Sequence, residues 1–163
     1  MSIDPEDLKR DFEEAYSVDT VLGAGSYGCV RAGKRRRDGL AVAIKELKAS
    51  DEFGEALHEV LILEQLADEN IIQLLDVWHV DGHPRLIFPF AGSSLREALK
   101  ADFAWGPEQC CRVVVQISSG LSHLHQRSVI HNDLKPANIL VELPSLRIPV
   151  SYTHLTLPTI YSV

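Results

Sequence analysis

Short apolar runs, separated by glycine-containing turns, divide the first half of the chain into strands at about 16–24, 28–34 and 40–47. Ahead of them, Asp4-Pro5-Glu6-Asp7 has the form of a helix start: an N-cap, a proline at the first helical position and acids in the first turn. The helix it opens carries Leu8 and Phe12 on one face and runs to about Tyr16. Phe53 to Leu66 then reads as a helix, with Leu57, Val60, Leu63 and Leu66 near one face. Two more strands are expected at about 74–80 and 85–90. Ser94 and Glu97 form a capping-box pattern for a short helix ending at Lys100. Pro107 opens a longer helix whose apolar stripe is Val113, Val114, Ile117, Leu121 and Leu124. Strands, a helix, strands and then helices make an α+β order without an internal repeat.

Composition narrows the function classes. The length of 163 residues suits one ordinary core, or a small core plus a fragment. A net charge of −7 argues against a nucleic-acid partner, which requires a basic face. Lys34-Arg35-Arg36-Arg37, before Asp38-Gly39, reads as a solvated hairpin turn rather than a nuclear-import signal. No apolar run reaches membrane length and the polar N-terminus is no signal peptide, so no membrane partner is expected. The three cysteines, two of them adjacent at 110 and 111, make neither a disulfide framework nor a zinc spacing. The expected location is a reducing intracellular compartment, cytoplasm or nucleus.

Candidate chemistry concentrates in His131-Asn132-Asp133-Leu134-Lys135-Pro136-Ala137-Asn138, a polar loop between Ser128-Val129-Ile130 and Ile139-Leu140-Val141. Such a loop suits phosphoryl transfer. The Asp133 carboxylate can orient a hydroxyl nucleophile and accept its proton. The Lys135 ammonium can offset charge on the moving phosphoryl group. The Asn138 carbonyl can ligate Mg2+, a hard cation that prefers oxygen. A second cluster, Leu22-Gly23-Ala24-Gly25-Ser26-Tyr27-Gly28-Cys29-Val30, fits G-x-G-x-x-G-x-V in a strand–loop–strand setting. There, glycines let backbone amides approach phosphate oxygens with no Cβ in the way. A third, Val42-Ala43-Ile44-Lys45, sets a cation into an otherwise apolar strand.

These three clusters, in this order, resemble the glycine-rich loop, the V-A-I-K strand and the H-R-D-L-x-x-x-N loop of eukaryotic-type protein kinases. The resemblance departs at Asn132, where the family usually has arginine. It implies a two-lobe fold: an N-terminal helix or extension at 1–15 and a kinase domain at 16–149. The domain divides into a small β-rich lobe at 16–90 and the beginning of a helical large lobe at 91–149. It also implies ATP and Mg2+ as cofactors and a protein substrate, and leaves room for a regulatory protein partner. Asp133-Leu134-Lys135-Pro136-x-Asn138 resembles the Ser/Thr class, since tyrosine kinases usually lack that lysine.

Residue by residue, the resemblance assigns Asp133 as base, Lys135 as phosphate partner and Asn138 as a metal ligand. Residues 22–28 and Val30 would lie against the phosphates and adenine, with Ala43 and Leu140 on the faces of the ring. Phe88 would be the gatekeeper, and Pro89, Phe90 and Ala91 the hinge. Pro89 keeps its carbonyl but has no N–H, and Ala91 supplies the amide. Lys45 would reach the phosphates and pair with a helix carboxylate. Glu59 has the right distance to Asn70-Ile71-Ile72-Gln73-Leu74-Leu75, which resembles the family's H-P-N-I-V-x-L-L run; Glu55, one turn earlier, is the alternative. His131 reads as a residue that holds the loop. His79, His83, His123 and His125 read as surface or locally bonded histidines.

After Val141 the family pattern calls for a strand and Asp-Phe-Gly, whose aspartate is the second metal ligand. The chain instead runs through Pro144 to Pro149 and then Val150-Ser151-Tyr152-Thr153-His154-Leu155-Thr156-Leu157-Pro158-Thr159. That stretch resembles a translation of the transposon-end adapter used to prepare sequencing libraries, in the frame GTC TCT TAT ACA CAT CTG ACG CTG CCG ACG. Residues 150–163 are therefore expected to be an artefactual tail that adds nothing to the fold. The leading expectation is ATP-dependent phosphorylation of Ser/Thr in proteins, with this fragment itself inactive. The alternatives are a non-catalytic nucleotide-binding pseudokinase or scaffold, and a small-molecule phosphotransferase of kinase-like fold.

Overall fold

The computed structural model describes residues 5–25, 28–47, 60, 63 and 66–150. The chain divides into two compact units, one of 1–60 with 74–90, the other of 61–73 with 91–163.

Among its described residues the first unit holds a five-stranded antiparallel sheet and an N-terminal helix. Helix α1 spans Pro5–Ala15, with Glu6 and Asp7 in the first turn where the helix dipole favours acids. The strands are β1 (Tyr16–Gly25), β2 (Gly28–Arg35), β3 (Ala41–Leu47), β4 (Asp76–Val80) and β5 (His83–Pro89), in the order β1-β2-β3-β5-β4. The turn between β4 and β5 shifts both strands from their expected bounds. Asp81 and Gly82 have φ of 53° and 79°, and Val80 pairs directly with His83. A two-residue Asp-Gly hairpin closes at once, so β5 begins at His83 rather than near 85. Leu74 and Leu75 fall outside β4, although the Leu75 amide still donates to the Ile87 carbonyl at 2.8 Å. The basic run is a turn, as expected. Arg35 forks onto Asp38 at 2.7–3.1 Å, and Arg36 donates to the Glu13 carbonyl at 2.8 Å. That Arg35 fork, with the Leu40 amide, pulls the exposed Asp38 carboxyl down to about 2.

The period of two gives the sheet two distinct faces. Val42 and Ile44 of β3 point into a cluster with Phe12, Tyr16, Val80 and Ile87. Ala43 and Lys45, between them, therefore point to the other face. Helix α1 covers the first face.

The second unit contains β6 (Ser93–Ser94), α2 (Leu95–Ala98), α3 (Pro107–Gln126), a 3-10 turn (Pro136–Asn138) and β7 (Leu140–Val141), with β6 paired to β7. The expected capping box opens α2. The Glu97 amide donates to Ser94 Oγ at 3.3 Å, and the Ser94 amide to Glu97 Oε2 at 3.1 Å. The Ser94 hydroxyl, which donates to Glu97 Oε2 at 2.9 Å, and then the Ser94 amide hold the Glu97 carboxyl below its usual range. The helix ends at Ala98 rather than Lys100. The core joins Leu95, Ala98, Val113, Ile139, Val141, Leu146 and Ile148, with Ile117 packed against it. Helix α3 buries Val113 and Leu124 as expected, but Val114 is 59% exposed and Val115 66%. The inward stripe is 113, 117, 120, 124, and Val114 lies about 100° round the helix from Val113.

Val150 corrects the expectation for the tail. It is fully buried, its amide donates to the Asn70 carbonyl at 2.8 Å, and its carbonyl accepts from the Ile72 amide at 3.0 Å. An apolar side chain in an extended segment fits between Ile71 and Ile139, whatever its coding origin. The remainder of the expected tail, 151–163, lies outside the described residues. So does most of the helix expected at 53–66. Val60 and Leu63 are helical, and with Leu66 they are buried, as their spacing predicts. Among the described residues no helix is long and apolar enough to cross a membrane.

Candidate active site

In the second unit the polar loop folds onto its own aspartate. Pro136 opens the 3-10 turn, and the Asn138 amide N–H donates to the Lys135 carbonyl at 2.8 Å. This turn brings the Asn138 side chain back to Asp133. Asn138 Nδ2 donates to the Asp133 main-chain oxygen at 2.8 Å and to Oδ2 at 2.8 Å. Lys135 Nζ lies 2.7 Å from the same Oδ2. The two residues differ in solvation. Asn138 is 7% exposed, whereas the Lys135 side chain is 52% exposed. Asn138 is thus a fixed internal strut, and Lys135 a cation that can swing toward a ligand.

The backbone at Asn132 sharpens the loop. Asn132 has φ 54°, and the Asp133 amide donates to the His131 carbonyl at 2.7 Å. This is a γ-turn with positive φ at its centre, a conformation asparagine adopts more readily than most residues. The resemblance marks Asn132 only as a departure from the family's arginine, and the turn is what the structure adds. The signal was present in the residue type, since Asn is enriched at left-handed φ. Buried His131 sets its Nδ1 3.3 Å from the same Asp133 amide, consistent with a loop-holding role.

Asn138 also meets the donor requirement for a hard divalent cation. Both of its described amide hydrogen bonds go to Asp133 oxygens, which fixes the flip of the side chain and turns Oδ1 away from Asp133. A carbonyl oxygen is a donor of the type that Mg2+ takes.

In the first unit, strand register gathers four of the expected nucleotide residues on one face. Val30 pairs with Lys45, and Ala43 with Phe88. Directly paired residues share a face, as do residues two apart, so Val30, Ala43, Lys45 and Phe88 lie together. Leu86, paired with Lys45 and fully buried, joins them. It was absent from the expected set, although its spacing of two from Phe88 was the available signal. Leu22, Gly23, Ala24 and Gly25 belong to β1, whose pairing with β2 shifts register between Val21 and Gly23. Gly28 has φ 140°, and a Cβ there would collide with the Glu46 backbone carbonyl. Close packing of β2 on β3 thus requires this glycine independently of any ligand.

Phe88 is buried and Phe90 is 42% exposed, its amide donating to the Ala41 carbonyl at 3.0 Å. Pro89 pairs opposite Val42 at the end of β5. Ala91 is buried and belongs to the second unit, as does Leu140, which pairs with Ser94. Ser26, Tyr27, Glu55 and Glu59 lie outside the described residues. His83 and His123 are locally bonded, His83 to the Leu47 carbonyl at 3.1 Å and His123 to Asp68 at 3.2 Å. Among the described residues no group of three or more His, Cys, Asp or Glu is placed to hold a metal.

Residues 16–149 match the family model described as protein kinase domain. Over 140 residues the chain is 39% identical to Cell division control protein 2 homolog 3 of Trypanosoma brucei brucei, covering 82% of this chain and 44% of that protein. It is 34% identical over 132 residues to Serine/threonine-protein kinase TIO of Arabidopsis thaliana, covering 78% and 10%. It is 30% identical over 141 residues to Serine/threonine-protein kinase crk1 of Schizosaccharomyces pombe, covering 83% and 42%. The chain spans less than half the length of these curated relatives.

Proposed function

Since the chain belongs to the protein kinase family, we propose that it carries the nucleotide-binding and catalytic-loop part of an ATP-dependent Ser/Thr protein kinase. The observation that supports this most is the Asp133 cluster, one carboxylate held by Asn138 and neutralised by Lys135. Asp133 orients the substrate hydroxyl and takes its proton. Lys135 counters charge on the transferred phosphoryl group. Lys45 binds the phosphates, with Glu59 as its carboxylate partner. Within the first unit, Val30, Ala43 and Phe88 offer an apolar surface to adenine, with the Pro89 carbonyl at its edge. Asn138 Oδ1 would hold Mg2+, which when bound neutralises phosphate oxygens. The names of two relatives, both serine/threonine-protein kinases, support Ser/Thr as acceptors.

The 163 residues contain no Asp-Phe-Gly run. On this reading the chain by itself binds nucleotide without transferring phosphate, and transfer is assayed in a longer protein of the relatives' length. Residues 150–163 are read as translated adapter, which a family match ending at residue 149 supports. The test is single-turnover transfer to a peptide by the longer protein. Asp133→Asn should slow transfer by about 10²–10⁴-fold, the usual worth of a general base, with nucleotide affinity kept. An unchanged rate would remove Asp133 from that role. Nucleotide binding with no transfer by the unsubstituted longer protein would favour the pseudokinase alternative.

A further inference from the structure

Helix α1 precedes the segment that matches the family, yet it is built into the first unit. Phe12 is fully buried and Tyr16 is 3% exposed, in one cluster with Val42 and Ile44 of β3. Phe12 stacks on Tyr16 with ring centroids 5.7 Å apart and meets Trp78 edge-on at 5.7 Å. The Arg85 guanidinium sits 4.7 Å from the Phe12 ring centroid. The same Arg85 pairs with Glu46 of β3 at 3.0 Å, and its side chain is 16% exposed. The C-terminal end of α1 is tied down as well. The Arg36 amide donates to the Ala15 carbonyl at 2.8 Å and its guanidinium to the Glu13 carbonyl at 2.8 Å, satisfying carbonyls that a helix end leaves open.

We infer that Phe12 is a positioning residue for Lys45, acting through β3. The argument is geometric. Lys45 lies between Ile44 and Glu46, and both neighbours point to the face that α1 covers. Ile44 belongs to the Phe12 cluster, and Glu46 is held through Arg85, which Phe12 supports from above. A strand clamped at the residues before and after a given position cannot twist or shift there without disturbing both contacts. The backbone position and height of Lys45 are thus set from the opposite side of the sheet. The folding unit of the small lobe accordingly begins near residue 5 rather than at 16.

The inference rests on the nucleotide-binding role of Lys45, and the test separates the two. Phe12→Ala and the milder Phe12→Leu are made in the full chain, with Val113→Ala in the second unit as a control that lowers the melting temperature without touching α1. Two readouts are taken where all variants are folded: hydrogen exchange of β3 and β5 amides, and affinity for ADP with Mg2+. Phe12→Ala should speed β3 exchange by about tenfold and weaken ADP binding by about three- to tenfold, with Phe12→Leu intermediate. Val113→Ala should change neither. A lowered melting temperature with β3 exchange and ADP affinity unchanged would mean that Phe12 is merely structural and would overturn the inference. If the unsubstituted chain binds no ADP, the role of Lys45 fails, and the exchange arm alone decides. Faster β3 exchange in Phe12→Ala then upholds the clamp, and unchanged exchange refutes it.

Discussion

Replacing Asn138 tests the proposed catalytic loop most directly, because two of its side-chain bonds tie it to Asp133. Its amide donates to the main-chain oxygen and to Oδ2 of Asp133, both at 2.8 Å, and the residue is 7% exposed. A neutral hydrogen bond contributes about 1 kcal/mol and one to a charged group about 1.5–3 kcal/mol. Asn138→Ala should therefore destabilise the second unit by about 2–4 kcal/mol. With a urea m-value of about 2 kcal/mol/M, the midpoint should fall by about 1–2 M at unchanged slope. Far-UV circular dichroism of the 163-residue chain reads this out. Asn138→Asp keeps the shape but sets a second carboxylate against Asp133, so it should also destabilise, and Mg2+ should restore it. At a free Mg2+ concentration tenfold above its dissociation constant, the recovery should be about 1.4 kcal/mol. An Asn138→Ala midpoint within about 0.3 M of the parent would show that the strut carries no load, given the same m-value. An Asn138→Asp chain indifferent to Mg2+ would show that these oxygens are not a cation site.

Burial, and then the Asp76 carboxylate, hold the Tyr16 phenol above its usual 10.0. The folded state keeps that proton to higher pH than the unfolded chain does, so the stabilisation is complete below pH 10 and fades as pH rises through the folded value. Tyr16→Phe should flatten this alkaline loss in melts taken across that range, and equal slopes in the two proteins would contradict the assignment. Val150→Asp should destabilise by about 3 kcal/mol or more, since it buries an unpaired charge, whereas deleting 151–163 should change stability by less than about 0.5 kcal/mol. A melting curve that responds to the deletion as strongly as to Val150→Asp would refute the reading of 151–163 as foreign sequence.

Local chemistry made much of this legible. Pro5 with following acids, the Ser94–Glu97 box and Pro107 marked helix starts, because a capping side chain acts within three or four residues of itself. The spacing of Asp133, Lys135 and Asn138 carried over into direct contact for the same reason, since all three sit in one loop. What depended on partners distant in sequence was not legible. The burial of Val150 depends on Asn70 and Ile72, about eighty residues earlier. The requirement for Gly28 comes as much from the Glu46 carbonyl on the next strand as from any phosphate. Val114 matched the apolar composition of its helix but not the side that packs. The role of α1 was hidden because Phe12 finds its partners on β3, β4 and β5.

The alternation along β3 has a consequence for how this protein can diverge. Positions 42, 44 and 46 face the aromatic helix and positions 43 and 45 the opposite side, where nucleotide binding is proposed, so on that proposal two independent selections are interleaved on one seven-residue strand. A lineage that loses α1 is released from the first selection alone. Its even positions drift toward polar residues while alanine and lysine persist between them. A saturation library of residues 41–47 should record the same split as two combs of mutational tolerance offset by one residue, and deletion of α1 should erase one comb and leave the other standing.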